Sequence, residues 1–388
     1  MSHLRGREPF ANVQEVAQAL RPSYPVLCVY RNRLEQAARR FARLFPGKVL
    51  YAVKCNPHPM ILDALHAGGI RNFDTASLAE IAAVAEKWDD VEAFFMHPVK
   101  ARPVIATARK VHGVRVFALD HRDELRKICD QLGKDRDDVV AAVRVKTADA
   151  GTLFHLSEKF GAGVEEAAEL LREVEREGLR PGLSFHVGSQ CLLPQAYRDA
   201  LDLLGEIIAA SGVGPVFIDV GGGFPAPYLG TEMRPLEDFM AAIREGLHAL
   251  KLPSTCEIAA EPGRALVAEG CSLLTQVQLR KDDRLYINDG IYGSLSEMVA
   301  AGVRLPSRLI RLEGREPSSE TMIYTAAGPT CDSLDMIPAA FRLPVDVREG
   351  DWIEVARLGA YSYALATRFN GFHADTFVEV SDSEEFSC

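Results

Sequence analysis

Short apolar runs rich in β-branched residues alternate with segments of helical periodicity through the first two thirds of the chain. From Lys48 onward, eight such runs read KVLYAVK, IRNFD, EAFFM, VRVFALD, VVAAVRV, LSFHV, VFIDV and CEIAA. The segments between them, such as LAEIAAVAEKW and VEEAAELLREVEREG, carry apolar residues at helical spacing. This alternation is typical of parallel strands joined by crossover helices, and eight units predict a closed (β/α)8 barrel of the TIM type.

The pattern changes after about residue 265, where strand-like runs follow one another with few long helices. The runs LLTQVQLR, RLYIND, TMIYTAA, DWIEVARL, YALATRF and TFVEV predict a mostly antiparallel β-domain. An earlier run, VLCVYR at 26–31, is left outside the barrel, and we expect it to join that domain. The prediction is therefore an amino-terminal segment at 1–31, a barrel at 32–265 and a β-domain at 266–388. The charged, proline-containing stretch 305–319 predicts an exposed loop.

Composition narrows the class of protein. The 388 residues are 47% hydrophobic and 25% charged, and 54 acidic against 44 basic side chains give a net charge of −10. That charge argues against nucleic acid or an anionic membrane as a partner. The eight cysteines lack CxxC spacing and the histidines lack ligand spacing, so we expect no disulfide framework and no metal. With no apolar run of roughly 18 residues and no leader, we expect a cytoplasmic protein.

Polar residues stand at the carboxyl ends of the predicted barrel strands, where barrels of this type carry their active sites. They are Lys54, Asp74, Arg144, His186 with Ser189, Gly221 to Gly223, and Glu261 with Arg264. Each alone has a purely structural alternative, such as a snorkelling lysine, a core histidine, a tight turn, an ion pair or a helix cap. Together they supply a Schiff-base lysine, an imidazole to stack on a ring, a carboxylate for a pyridine nitrogen and a phosphate cradle. The set predicts pyridoxal phosphate as cofactor.

The chain also carries ten ordered motifs of a known enzyme group. They are YAVKCNPHP, FDTASLAEI, EKFGA, SFHVGSQC, DVGGGFP, AEPGRALVA, YINDGIYGS, GPTCDSLD, LGAYS and TRFNGF, running from Tyr51 to Phe372. In these motifs the chain resembles the ornithine decarboxylase group of the fold-type III pyridoxal-phosphate enzymes. That group includes ornithine, lysine, arginine and diaminopimelate decarboxylases.

The resemblance implies a role for each barrel residue. Lys54 would hold the cofactor covalently, His186 would stack on its ring, and Glu261 would keep the pyridine nitrogen protonated. Asp74 matches a carboxylate near the lysine, and Arg144 supports the surroundings of the ring. The phosphate ligands would be Ser189, Gly222, Gly223, Arg264 and Tyr361.

Two residues of the GPTCDSLD motif are implied to act on the substrate. Cys331 matches a cysteine that assists protonation of the carbanion, and Asp332 a carboxylate that binds the distal amine of the substrate. In the family these residues reach the cofactor of the other subunit, which implies a homodimer with shared active sites. The structural alternatives are a buried cysteine and a capping aspartate.

One departure concerns the second amine contact. Eukaryotic-type relatives carry an aspartate-histidine pair shortly after YGS, whereas this chain reads SLSEMVAAGVRLP, with Glu297 as the nearby acid and candidate replacement. The expected function is decarboxylation of a basic L-amino acid, with ornithine to putrescine favoured, as a step of polyamine biosynthesis. Lysine or another diamino acid is the alternative, and diaminopimelate is disfavoured because CD stands where its enzymes have CE. The alternative from a different class is a protein that binds pyridoxal phosphate without turnover, or a regulator resembling an antizyme inhibitor.

Overall fold

The computed structural model describes residues 8–147 and 159–381. Its strands are β1 Val26–Val29, β2 Lys48–Ala52, β3 Asn72–Thr75, β4 Glu92–Phe95, β5 Val116–Leu119, β6 Val140–Val145, β7 Arg180–Phe185, β8 Phe217–Asp219, β9 Glu257–Ala260, β10 Cys271–Lys281, β11 Arg284–Ile287, β12 Ser307–Ile310, β13 Thr321–Ala327, β14 Met336–Pro344, β15 Trp352–Val355 and β16 Thr376–Glu379. The α-helices are α1 Val13–Leu20, α2 Arg31–Leu44, α3 Pro59–Ala67, α4 Leu78–Ala85, α5 Arg102–His112, α6 Arg122–Leu132, α7 Val164–Arg176, α8 Gln195–Ser211, α9 Leu236–Ala249, α10 Arg264–Val267 and α11 Ser296–Ala300.

Strands β2 to β9 form a closed barrel in sequence order, with every neighbouring pair parallel. Closure comes from β2 and β9, where Lys48 lies opposite Ala259 and Val49 opposite Ala260. Each of the eight apolar runs became one barrel strand, so the predicted (β/α)8 fold is confirmed. Helices α3 to α9 connect successive strands, and the pairs α4–α5, α5–α6, α7–α8 and α8–α9 pack against each other.

Local sequence signals set the helix ends. The hydroxyl of Ser77 caps α4 by accepting a hydrogen bond from the backbone N–H of Glu80 at 3.2 Å. The Glu80 carboxylate in turn accepts from the N–H of Ala76 at 2.7 Å. Helix α3 ends at Gly68, and Gly69 takes a positive φ of 101° before β3 begins. Capping side chains and glycines therefore fix where these helices begin and end.

The second sheet has the order β12-β15-β10-β11-β13-β14, and β1 pairs with both β10 and β16. Antiparallel pairing dominates, with parallel pairing at β1–β16 and β11–β13. The mostly antiparallel second sheet is thus confirmed. The amino-terminal strand lies in this sheet, next to β10, which directly follows the barrel.

Two predicted elements of the β-domain are wrong. The run YALATRF forms short 3-10 turns at Tyr363–Leu365 and Phe369–Gly371 instead of a strand, because its amides bond locally, as Ala366 N–H does to the carbonyl of Ser362 at 3.1 Å. The stretch predicted as an exposed loop contains β12, which pairs with β15.

Ion pairs explain how that charged stretch enters a sheet. Arg308 binds Glu354 at 2.8 Å, and Arg311 binds Asp351 at 2.7 Å, so both arginines have counter-charges on or beside β15. Ile310, 5% exposed, joins the apolar cluster around Trp352.

Across the described ranges, no helix is long and apolar enough to cross a membrane. The same ranges hold no cluster of three or more His, Cys, Asp or Glu side chains suited to a metal ion.

Candidate active site

Lys54 lies in a single 3-10 turn directly after β2, beside Asp74 on β3. Its Nζ forms an ion pair with the carboxylate of Asp74. The lysine side chain is 42% exposed and the aspartate 2%, so a buried carboxylate holds an amine that a small molecule can reach. Burial opposes the charge on this amine, but the carboxylates of Asp74 and Glu261 outweigh it and hold the pKa of Lys54 above its ordinary value.

Glu261 follows β9 and lies close to Asp219, the last residue of β8, and both are buried. Burial, and then the negative charges of Asp219 and Asp74, raise the pKa of Glu261 well above its usual range. Burial also raises the pKa of Asp219 to about 6. A carboxyl group whose pKa is raised in this way is suited to share a proton with a ring nitrogen.

His186 directly follows β7 and stays neutral at physiological pH. Burial first, and then the charges of Arg144 and Lys54, lower the pKa of this imidazole well below its usual value. Its Nδ1 accepts a hydrogen bond from the N–H of Gly188 at 3.0 Å, which puts the ring proton on Nε2. Arg144, on β6, lies with its guanidinium 5.5 Å from the ring centre of Phe160.

The glycine turn after β8 packs too tightly for any side chain. Gly221 and Gly223 have positive φ angles of 67° and 100°. A Cβ on Gly222 would lie 2.9 Å from His186 Nε2 and 2.7 Å from the carbonyl oxygen of Glu261. The N–H of Gly221 donates to Asp219 Oδ1 at 2.8 Å. This turn packs its backbone directly against the histidine and the glutamate.

Arg264 is the centre of the predicted phosphate ligands. Its guanidinium side chain, 3% exposed, lies 3.3 Å from the hydroxyl of Ser189 and 4.8 Å from the ring centre of Tyr361. Tyr361 has a positive φ of 52°, and its N–H donates to the carbonyl of Cys55 at 2.9 Å, beside Lys54. A residue of the β-domain is thereby held at the mouth of the barrel.

Glu297 takes a different place from the one predicted for a reader of the substrate amine. Its two carboxylate oxygens accept hydrogen bonds from Arg264 at 2.6 and 2.7 Å. Asp332, with which it was expected to share the amine, accepts instead from the backbone N–H of Leu334 at 2.9 Å and from the hydroxyl of Tyr292. Glu297 therefore lies at the candidate phosphate end of the site, because α11 carries it to Arg264.

Cys331 and Asp332 lie together in the connection between β13 and β14. Cys331 is exposed, and its N–H donates to Oδ1 of Asn370 at 3.0 Å. The N–H of Leu334, and then the hydroxyl of Tyr292, lower the pKa of Asp332 below its ordinary value. These contacts all lie within the β-domain, whereas Lys54 and its partners lie in the barrel.

Sequence reasoning missed two polar residues of this site. Asp219 stands two residues before the first glycine of the triplet in DVGGG, and its position at a strand end was the available signal. The hydroxyl of Tyr228 accepts a hydrogen bond from Arg264 at 2.8 Å, but this tyrosine lies in none of the sequence motifs and so could not be predicted. Buried polar atoms without a protein partner in the described ranges include Oδ2 of Asp219 and Nε of Arg264. Such atoms, with the glycine turn and the reachable lysine, fit a flat, phosphorylated pyridine ligand.

The comparisons with known proteins agree with this site. A family described as "Pyridoxal-dependent decarboxylase, pyridoxal binding domain" matches residues 31–268. The chain belongs to this family of pyridoxal-phosphate-dependent decarboxylases, and pyridoxal phosphate is its cofactor.

Similar proteins differ in what their names say they do. The chain is 33% identical to the lysine/ornithine decarboxylase of Selenomonas ruminantium, covering 94% of this chain and 91% of that protein. It is also 33% identical to antizyme inhibitor 2 of Xenopus laevis, over 86% of this chain and 76% of that protein. The structure of Vibrio vulnificus lysine/ornithine decarboxylase complexed with putrescine has a TM-score of 0.81 and 30% identity, covering 95% of this chain and 97% of the other.

Proposed function

We propose that this chain is a decarboxylase of a basic L-amino acid, with ornithine to putrescine as the favoured reaction. The observation that carries the proposal is the partly exposed Lys54 bound to buried Asp74, at the mouth of a barrel that also holds the buried carboxyl group of Glu261. The names of the S. ruminantium and V. vulnificus proteins support a substrate with a distal amine.

The barrel residues divide the work on the cofactor. When bound, pyridoxal phosphate supplies a ring that takes up the electron pair left by the departing carbon dioxide. Lys54 is the residue that holds it, and Asp74 keeps that amine in place. Glu261 would hydrogen-bond the pyridine nitrogen and keep it protonated, and neutral His186 would stack on the ring face. Arg144 adds positive charge beside the imidazole.

The phosphate end of the cofactor is assigned to residues that meet around Arg264. Ser189 contributes its hydroxyl, Gly222 and Gly223 contribute backbone N–H groups, and Tyr361 packs on the guanidinium. Backbone amides of a glycine turn and a buried guanidinium are both suited to bind a phosphate group.

The substrate end is assigned to a second copy of the chain. Asp332, whose lowered pKa keeps it charged, binds the distal ammonium of the substrate, and Cys331 returns a proton to the product carbon. Exposed Cys331 is available to another subunit, which supports a homodimer in which each active site takes residues from both chains. Putrescine as product would make this a step of polyamine biosynthesis.

A substrate panel tests the proposal. The purified protein with pyridoxal phosphate is given ornithine, lysine, arginine or diaminopimelate, and both the amine product and carbon dioxide are measured. Release of putrescine with the highest kcat/KM supports the favoured reaction, and cadaverine in its place supports the lysine alternative. The likeness to antizyme inhibitor 2 favours one second candidate, a non-catalytic regulator. That candidate predicts no amine from any substrate, even when cofactor absorbance shows that the site is filled.

A further inference from the structure

Glu297 binds the arginine that we assign to the cofactor phosphate. The carboxylate lies in the first turn of α11 and makes a two-point contact with Arg264, at 2.6 and 2.7 Å. The glutamate side chain is 13% exposed and the arginine 3%. Little water therefore screens this pair, and the two-point geometry is that of a strong ion pair.

A phosphate group brings a second anion to the same guanidinium. Arg264 also donates to Tyr228 at 2.8 Å and to Ser189 at 3.3 Å, so both of its terminal nitrogens are in use, and among the described residues Nε has no hydrogen-bond partner. Two anions held close together in a poorly hydrated site repel each other. Binding of the phosphate and the two-point contact of Glu297 therefore oppose one another.

We propose that Glu297 is a built-in competitor of the cofactor phosphate for Arg264. It supplies the counter-charge of the buried arginine in the cofactor-free protein, and it gives up part of this contact when the phosphate group binds. Cofactor affinity is accordingly lower than the other ligands alone would produce. The inference rests on the proposed role of Arg264 as a phosphate ligand.

The opposite reading makes Glu297 a positioning residue that holds Arg264 ready for the phosphate. The two readings predict changes of opposite sign when the charge of Glu297 is removed. A competitor that loses its charge lets the phosphate bind more tightly, whereas a loosened arginine binds it more weakly. Affinity for a phosphorylated ligand therefore separates them.

The experiment titrates cofactor-free, full-length protein with pyridoxamine 5′-phosphate, which needs no bond to Lys54, and follows binding by calorimetry. We expect Glu297→Gln to bind this ligand about ten- to a hundredfold more tightly than wild type, the range of a charge-assisted contact. Pyridoxamine, which lacks the phosphate, should bind equally to both proteins. Weaker or unchanged binding of pyridoxamine 5′-phosphate, or an equal gain for pyridoxamine, overturns the proposal.

Three further variants separate the proposed competition from other causes of a change in affinity. Glu297→Asp retains the counter-charge of Arg264 but shortens its reach, so it should fold and should tighten binding by a smaller factor. The control is Glu237→Gln, the same replacement in the half-exposed Arg40–Glu237 pair at 3.0 Å, which should change nothing. Arg264→Met tests the assignment beneath the inference. If Arg264→Met binds pyridoxamine 5′-phosphate as tightly as wild type does, Arg264 is not a phosphate ligand. If Arg264→Met loses affinity but neither Glu297 variant gains it, Arg264 is a phosphate ligand and only the competitor role of Glu297 is refuted.

Discussion

The barrel mouth and the connection between β13 and β14, here called the Cys331 loop, differ in how their polar side chains are held. In the barrel, Asp74 and Glu261 are buried and Lys54 is bound to Asp74, so the polar groups are held in place by one chain. In the loop, Cys331 is exposed and Asp332 is fixed by near neighbours of its own domain. The difference teaches that a single chain can assemble the cofactor end of the site, and it agrees with the proposal that the Cys331 loop faces a second copy of the chain.

The largest effect should come from the barrel. Lys54→Ala should lower kcat by about a thousandfold or more and remove the visible absorbance of the bound cofactor, because the chain then lacks the amine that holds it. Borohydride treatment of the wild-type protein with pyridoxal phosphate should label Lys54, as peptide mapping can show. Lys159→Ala is the control and should keep both activity and label. A label on Lys146 or Lys159 would refute the assignment.

The next effect tests whether the two regions work across subunits. Lys54→Ala and Cys331→Ala proteins, each nearly inactive, should recover about a quarter of wild-type activity when mixed in equal amounts and allowed to exchange. Half of the dimers are then hybrids, and each hybrid has one intact site. Activity is measured after subunit exchange has been verified with differently tagged chains. No recovery in verified hybrids, or a fully active monomer, contradicts the shared site.

A smaller effect is expected at the amine-binding end. Asp332→Asn should lower kcat/KM for ornithine by about tenfold to a few hundredfold, since a substrate ammonium loses a charged partner. Pyridoxal phosphate binding should survive, because Asp332 contacts no residue assigned to the cofactor. Ser333→Ala, a change at the exposed neighbouring residue, is the control. If Asp332→Asn decarboxylates ornithine as well as wild type does, a substrate without a distal amine becomes the better hypothesis.

The smallest expected effect tests the hydrogen bond from Tyr292 to Asp332. Tyr292→Phe removes the hydroxyl that donates to Asp332, and kcat/KM should fall by roughly twofold to tenfold. That hydroxyl helps to lower the pKa of Asp332, so its loss raises the pKa, and the carboxylate becomes protonated at a higher pH. The acid limb of the pH profile of kcat/KM should therefore move to higher pH. If the acid limb does not move, it reflects the titration of a group other than Asp332.

Much of the barrel could be predicted because each of its strands is marked by a short stretch of sequence. Parallel strands buried on both faces read as apolar runs, and their carboxyl ends meet at one face, which places Lys54, Asp74 and His186 together. The bond between Glu297 and Arg264 could not be predicted, since it depends on where α11 comes to lie. Strand β12 was missed because ion pairs with distant acids allow arginines there. The raised pKa of Glu261 likewise depends on which strands are neighbours.

The pairing of β1 has a consequence for how the molecule is made on the ribosome. Val26 lies opposite Leu274 on one side and Thr376 on the other, so both partners of this early strand lie in the last third of the sequence. During synthesis β1 emerges long before either partner exists, and its apolar residues must wait unpaired while the barrel forms. Loss of the chain from Thr376 onward would leave one edge of β1 open, a template for association with other nascent chains.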